Sequence, residues 1–262
     1  MAEGNRPAQG IRAAILDWDG TISTLRCGWE EVMEPMMAEM IDPSGTDEAV
    51  REEVRRYVDE STGIQTVFQM QWLEERVRSF GRNPVVHDAW WYKDEYNRRL
   101  MERVEGRVRA LETGEKTPED FTIAGSRAFL SMLRDEGVSL YVASGTDHAD
   151  VVREVEALGF TAFFDRIAGA PWRQAACSKE AVIRDLLAAR TVPPEALLLA
   201  GDGKVEIRLG KEAGAFALGV ASDERQRSGE NERKRRRLEA AGADAIIGDF
   251  TDLPAIRELL GF

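Results

Sequence analysis

The sequence predicts an α/β fold, a Rossmann-like doubly wound parallel sheet with an all-helical block inserted after the first strand. Three observations carry this expectation. Short apolar runs without polar alternation, each followed by a helical stretch, recur through the second half of the chain. One such run, RAAIL from Arg12 to Leu16, stands alone near the N-terminus. Between them, from Cys27 to Leu111, the pattern is helical with no strand candidate. Strands buried on both faces lose alternation, and parallel neighbours must be joined by crossovers that are usually helices.

Taken in order, Arg12 to Leu16 is a buried strand ending in the polar tip DWDGT. Four helices follow, over Trp29 to Ile41, Asp47 to Ser61, Ile64 to Phe80 and Asp88 to Leu111, with breaks at Asp42-Pro43-Ser44-Gly45, Thr62-Gly63 and Gly81-Arg82-Asn83-Pro84. After Pro118 strands and helices alternate: a strand Leu140 to Ala143, a helix stopped by Gly159, a strand Phe164 to Ala168, and a helix Lys179 to Arg190. A strand Leu197 to Ala200, a helix Val205 to Ala213, and strands Phe216 to Gly219 and Ala245 to Ile247 complete the series. The expected division is residues 1–26 and 114–262 for the α/β core and 27–113 for the helical insertion.

Composition narrows the function. A net charge of −12 works against binding a nucleic-acid backbone, which basic surfaces meet. The polar N-terminus MAEGNRPAQG has no apolar stretch behind it, and no run approaches the ~18 apolar residues of a membrane span. Cys27 and Cys177, without zinc-ligand spacing around them, suit a reduced, cytoplasmic protein. The sequence sets no oligomeric state.

Open parallel sheets bind ligands beyond the carboxyl ends of their strands. The residues there are Asp17-Trp18-Asp19-Gly20-Thr21, Ser144-Gly145-Thr146, and Gly201-Asp202-Gly203-Lys204-Val205-Glu206. Asp17, Asp19 and Asp202 brought together as bare anions would repel, so a cation is implied. Mg2+ fits, because it takes one or two carboxylates and leaves positions for water and phosphate oxygens. The Ser144 hydroxyl and the amides of Gly145 and Thr146, read as opening a helix, supply donors for an anion, which points to phosphate. Lys179 follows Ser178, a good N-cap, and a cation at a helix start opposes the macrodipole by roughly a few tenths of a kcal/mol, so another interaction is expected to hold it.

These tips resemble the haloacid dehalogenase-like superfamily. Its first motif, a strand followed by DxDGT, is similar to Asp17 to Thr21; its second, an apolar strand ending in Ser or Thr, to LYVASGT ending at Ser144; its third, a lysine opening a helix, to Lys179; its fourth, a strand ending in an acidic pair, to Gly201-Asp202 with Glu206. The resemblance runs from Ile11 to about Gly248, in motif order, with FFDRIAGA (Phe163 to Ala170) between the second and third. Three departures stand out: Glu206 replaces the usual Asp, Glu180 follows Lys179 where Pro is common, and Trp18 replaces Phe, a change expected to affect packing alone.

The resemblance implies a Mg2+-dependent phosphatase acting on a small phosphate ester, such as a sugar or polyol phosphate. Asp17 would be the nucleophile, Asp19 the general acid and base, Ser144 and Lys179 the further catalytic groups, and Asp17, Asp19, Asp202 and Glu206 the metal ligands. Gly20, Thr21, Gly145 and Thr146 would surround the phosphate. The helical block would be a cap over the site, hinged at Thr21 to Cys27 and Thr113 to Thr122, with Thr62, Gln65 and Gln69 as contacts to the leaving group; the two Gln stand at i, i+4 on one helix face. A phosphomutase of the β-phosphoglucomutase kind shares all four motifs, and a catalytically idle phosphate-binding regulator is the reading from another class. A DxD alone is weak evidence, but a calcium loop starting at Asp17 needs Glu at its twelfth position, where Gly28 stands. Trp72, Trp90, Trp91 and Tyr92 read as packing residues, and the run Lys234-Arg235-Arg236-Arg237 as an exposed helix face offset by Glu230, Glu232 and Glu239.

Overall fold

A computed structural model describes residues 10–176, 178–189 and 192–262, with Ser178 described by its backbone alone. Cys177 and the Ser178 side chain, both named above, lie outside the described set. The sheet is parallel and six-stranded: β1 (Ala13–Leu16), β2 (Ser139–Asp147), β3 (Arg166–Ala170), β4 (Leu197–Gly201), β5 (Phe216–Val220) and β6 (Ala245–Ile247), in the order β3-β2-β1-β4-β5-β6. This is the doubly wound arrangement, with the order reversing beside β1. Every residue of β1, β4 and β5 is buried, which explains their unbroken apolar character. In register, Leu16 lies between Val142 and Ala200, so β1 and β4 end together beside β2, which runs on to Asp147.

Between β1 and β2 the chain forms α1 (Glu30–Ile41), α2 (Glu48–Glu60), α3 (Thr66–Phe80) and α4 (Ala89–Glu112). Their ends follow local chemistry. The Asp47 and Asp88 side chains accept from the first free amides of α2 and α4, and Gly81 closes α3 in the left-handed conformation at φ 69°. The two chain crossings between block and sheet are bonded to each other: Thr24 N–H donates to Phe121 O (2.8 Å) and Ile123 N–H to Ile22 O (3.0 Å). Arg107 of α4 donates to the carbonyls of Leu25 (2.7 Å) and Cys27 (3.0 Å), satisfying carbonyls that no helix or strand uses.

The remaining helices are α5 (Ser126–Asp135), α6 (His148–Ala157), α7 (Ser178–Ala188), α8 (Lys204–Ala213), α9 (Glu232–Ala240) and α10 (Leu253–Leu259). Helices α5 and α10 were not anticipated. Both are short, and their value to the fold is tertiary: Phe129 of α5 stacks on Phe250, just before α10, at 4.4 Å. The stretch Ser144-Gly145-Thr146, expected to open a helix, instead continues β2, and α6 begins only at His148. Trp18 is fully buried edge-on to Phe160 and Phe164, as packing alone requires. Tyr92 is buried and Trp72 stacks on Tyr57 at 3.9 Å, whereas Trp91 is exposed and stacks on His87. No described helix is long and apolar enough to cross a membrane.

Candidate active site

The carboxyl ends of β1, β2 and β4 meet the loop before α3 and enclose a cavity of about 90 Å³. Asp17, Asp19, Ser144, Gly145, Thr146, Lys179 and Asp202 line it from the sheet side, and Thr62, Gly63, Gln69 and Tyr96 from the helical block. The two sides touch closely. A Cβ on Gly145 would come within 3.1 Å of Ile64 O, and one on Gly203 within 3.3 Å of Gly63 Cα, so both glycines admit the approaching backbone. Gly20 has φ +72°, and any side chain there would collide with the Asp202 carboxylate.

Asp17 follows directly from β1, its N–H donating to Ala200 O (2.9 Å). Lys179 Nζ lies 3.1 Å from Asp17 Oδ1 and pairs with Glu206 Oε1, all three side chains being buried. This double ion pair is the interaction that holds a cation at the start of α7. Burial pushes the Asp17 carboxyl up to about 6; Lys179 opposes the rise, and Asp202 and Asp19 add to it. Asp19 Oδ2 accepts from Thr146 Oγ1 (2.8 Å) and lies 3.5 Å from Ser144 Oγ, which itself accepts from Thr146 N–H (3.1 Å). Burial raises Asp19 to about 7, helped by the Glu154 charge and opposed by Arg26 and the Thr146 bond.

Several expected residues are placed otherwise. Gln65 precedes α3 and does not line the cavity: its Nε2 donates to Gln174 O (2.8 Å) and its Oε1 accepts from Ala176 N–H (2.9 Å), so the amide is spent on the loop before Lys179. Gln69 lines the cavity while donating to Ser61 Oγ (3.0 Å). Thr62 lines it too, its hydroxyl donating to Val58 O (3.2 Å). The Thr21 hydroxyl is buried away from the cavity with no hydrogen-bond partner among the described residues.

The basic run is not the uniformly solvated face expected of it. Arg235 and Arg236 point outward to Glu230, Glu239 and Glu232, but Lys234 and Arg237, one helical turn apart, point inward. Lys234 Nζ lies 2.6 Å from Asp202 Oδ2, 2.7 Å from Glu224 Oε1 and 3.2 Å from Ser222 Oγ. Arg237 donates to Asp202 O (3.0 Å), and also to Asp59 Oδ1 (3.2 Å) and Thr62 Oγ1 (3.3 Å) on the helical block. Arg26 is a second unanticipated residue. Buried in the first crossing, it pairs with Glu154 (2.8 Å) and Asp150 (3.2 Å) and lies 3.9 Å from Asp19 Oδ1. The i, i+3 spacing in a charged helix could have revealed Lys234 and Arg237; nothing local marks Arg26.

The donor set can be tested against a metal. Among the described residues no three His, Cys, Asp or Glu side chains are arranged to hold one by themselves. Of the four expected ligands, Glu206 pairs with Lys179 and Asp202 Oδ2 with Lys234. Mg2+ does not need so many, since one or two carboxylates with carbonyl and water oxygens suffice. Asp17 and Asp202 are close enough for each charge to be felt, and Asp19 Oδ1 is buried without a hydrogen bond. A hard cation fits these oxygens.

Fold and site together define a doubly wound α/β protein with paired aspartates at the end of its first strand. The family model for haloacid dehalogenase-like hydrolases matches residues 11–214, and the chain belongs to that family. Similar solved structures include a predicted phosphatase from Clostridium acetobutylicum (16% identity, TM-score 0.62, 95% of this chain and 100% of that one). A predicted phosphoglycolate phosphatase from Haemophilus somnus is also similar (15%, 0.62, 95% and 99%). So is a β-phosphoglucomutase from Clostridium difficile (18%, 0.61, 95% and 97%). At these identities the likeness is one of fold. No curated protein matches the sequence.

Proposed function

We propose that the chain is a Mg2+-dependent phosphatase that hydrolyses a small phosphorylated metabolite through an aspartyl-phosphate on Asp17. The observation that carries this reading is that Asp17 and Asp19, buried and differently partnered, line one small cavity. Asp17 is backed by a buried ammonium and Asp19 by a hydroxyl. A carboxylate attacking phosphorus must be aimed and held anionic, and Lys179 serves both needs. An acid and base must hold a proton near neutral pH, and burial keeps Asp19 in that range.

In the first half-reaction an Asp17 carboxylate oxygen bonds to phosphorus, the ester P–O bond breaks, and Asp19 gives its proton to the departing alkoxide. In the second, water attacks the phosphorus, Asp19 takes the proton, and the Asp17–phosphorus bond breaks to release phosphate. Mg2+, held by the Asp17 and Asp202 carboxylates and the Asp19 carbonyl, would withdraw charge from the phosphoryl oxygens when bound. The helical block acts as the cap: the Thr62-to-Ile64 loop closes the cavity against bulk water, with Gly145 and Gly203 making room for it. Action in the cytoplasm suits Cys27, a free thiol.

The test is phosphate release from p-nitrophenyl phosphate. Chelation should abolish it, Mg2+ restore it, and Asp17→Asn reduce it below about 1% of wild type with the fold retained. Full activity in chelator overturns the metal assignment, and substantial activity in Asp17→Asn overturns the nucleophile. A phosphoenzyme that persists until a sugar phosphate is added would replace the phosphatase by a phosphomutase.

A further inference from the structure

Besides the strand-end residues, the cavity is lined by Trp29, Met33, Gln69, Tyr96 and Arg26, the side chains from outside the sheet that a leaving group would meet. At about 90 Å³ the cavity is far below the ~300–1,000 Å³ that drug-sized ligands occupy. Its electrostatics are specific. Arg26 is the one cation among these side chains, and it is already shared between Glu154 (2.8 Å) and Asp150 (3.2 Å), with Asp19 3.9 Å away. Two carboxylates thus hold the one guanidinium, with Asp19 next to them. A leaving group that carried a carboxylate or a second phosphate would enter a negative field with no cation free to receive it, and a buried unpaired charge is costly.

Tyr96 adds a recognition element. Only 4% exposed as a residue, it lines the cavity from α4, and no hydrogen bond among the described residues uses its hydroxyl. It shares the cavity lining with the proton-carrying Asp19, and burial raises its pKa, with the Arg26 guanidinium opposing the rise. A phenol hydroxyl on a cavity wall can both donate to and accept from a ligand hydroxyl. Resting on the phosphatase reading, we infer that the substrate is the phosphate ester of a small, uncharged polyol, and that Tyr96 is the specificity-determining residue that hydrogen-bonds its hydroxyl next to Asp19. Trp29 and Met33 pack on the carbon skeleton, and the Arg26–Glu154–Asp150 cluster rejects anionic leaving groups.

The test compares initial rates of phosphate release by the Mg2+-loaded enzyme on glycerol 3-phosphate and 3-phosphoglycerate, which share a skeleton and differ in a hydroxymethyl against a carboxylate. The reference substrate is p-nitrophenyl phosphate. Wild type should favour glycerol 3-phosphate in kcat/KM by at least about tenfold. Tyr96→Phe should lower the ratio of glycerol 3-phosphate to p-nitrophenyl phosphate by about three- to tenfold, the span expected for one neutral hydrogen bond. Glu154→Gln, which releases part of the Arg26 charge, should raise 3-phosphoglycerate relative to glycerol 3-phosphate, a gain that mere loss of packing would not produce. Equal use of the two esters, preference for the carboxylate, or an unchanged ratio in Tyr96→Phe overturns the inference while leaving the phosphatase standing. Release from none of the three substrates overturns both.

Discussion

Replacing Lys234 by Met isolates the contribution of the inward-facing half of the basic run. The ammonium is 8% exposed and touches two carboxylates, Asp202 at 2.6 Å and Glu224 at 2.7 Å, which face each other across it. Its removal leaves the buried Asp202 and the half-buried Glu224 without their shared ammonium, and breaking a buried pair in this way typically costs about 3–5 kcal/mol. For a chain of this size that corresponds to a fall in Tm of roughly 6–20 °C. One of the two, Asp202, is also an expected ligand of the divalent cation, so Mg2+ can take the place of the ammonium beside it in the variant but must compete with it in the wild type. Thermal unfolding followed by circular dichroism, with chelator and with Mg2+, should therefore show a larger Mg2+-induced rise in Tm for Lys234→Met than for wild type. Saturation to about 100 times Kd stabilises by about 2.7 kcal/mol, large enough to read. A rise equal to or smaller than that of wild type would refute the reasoning and make the Lys234 pair a structural contact independent of the metal.

Three further outcomes follow from the geometry. Gln65→Ala should lower kcat/KM on all phosphate esters by a similar factor, because both ends of its amide hold the backbone at Gln174 and Ala176 ahead of Lys179; a change in substrate preference instead would restore Gln65 as a leaving-group contact. Gly20→Ala should cost both stability and turnover, since a Cβ at φ +72° is strained and collides with the Asp202 carboxylate; wild-type Tm and rate together would contradict it. Arg26→Met leaves Glu154 and Asp150 without their shared cation and should destabilise by about 3–5 kcal/mol in chemical denaturation, Glu154 being fully enclosed; an unchanged denaturation midpoint would show that the cluster is solvated.

The sheet was legible because its signals are local. The tips that carry Asp17, Ser144 and Asp202 follow apolar runs that no helix period fits, and those runs in β1, β2 and β4 do lie side by side. Helices with strong breaks were legible for the same reason: Gly81 and the Asp47 and Asp88 caps act within one turn. What escaped depends on contacts across the sequence. Arg26 is an arginine in a linker until α6 brings Glu154 and Asp150 to it, and Tyr96 is one apolar-face residue of a long helix until α4 turns it toward the cavity. Gln65 and Gln69 were paired by spacing alone; with Gln65 outside α3, the helical geometry that would align them does not apply, and a backbone loop from elsewhere claims its amide. The basic run shows the same limit, since composition gives its average exposure and only the packing of α9 separates Lys234 from Arg235. Reaction chemistry thus sits on residues whose environment is set by their own strand ends, whereas the choice of substrate sits on residues whose environment is set by a distant segment. A sequence reading of this fold therefore reaches the nucleophile well before it reaches the leaving group.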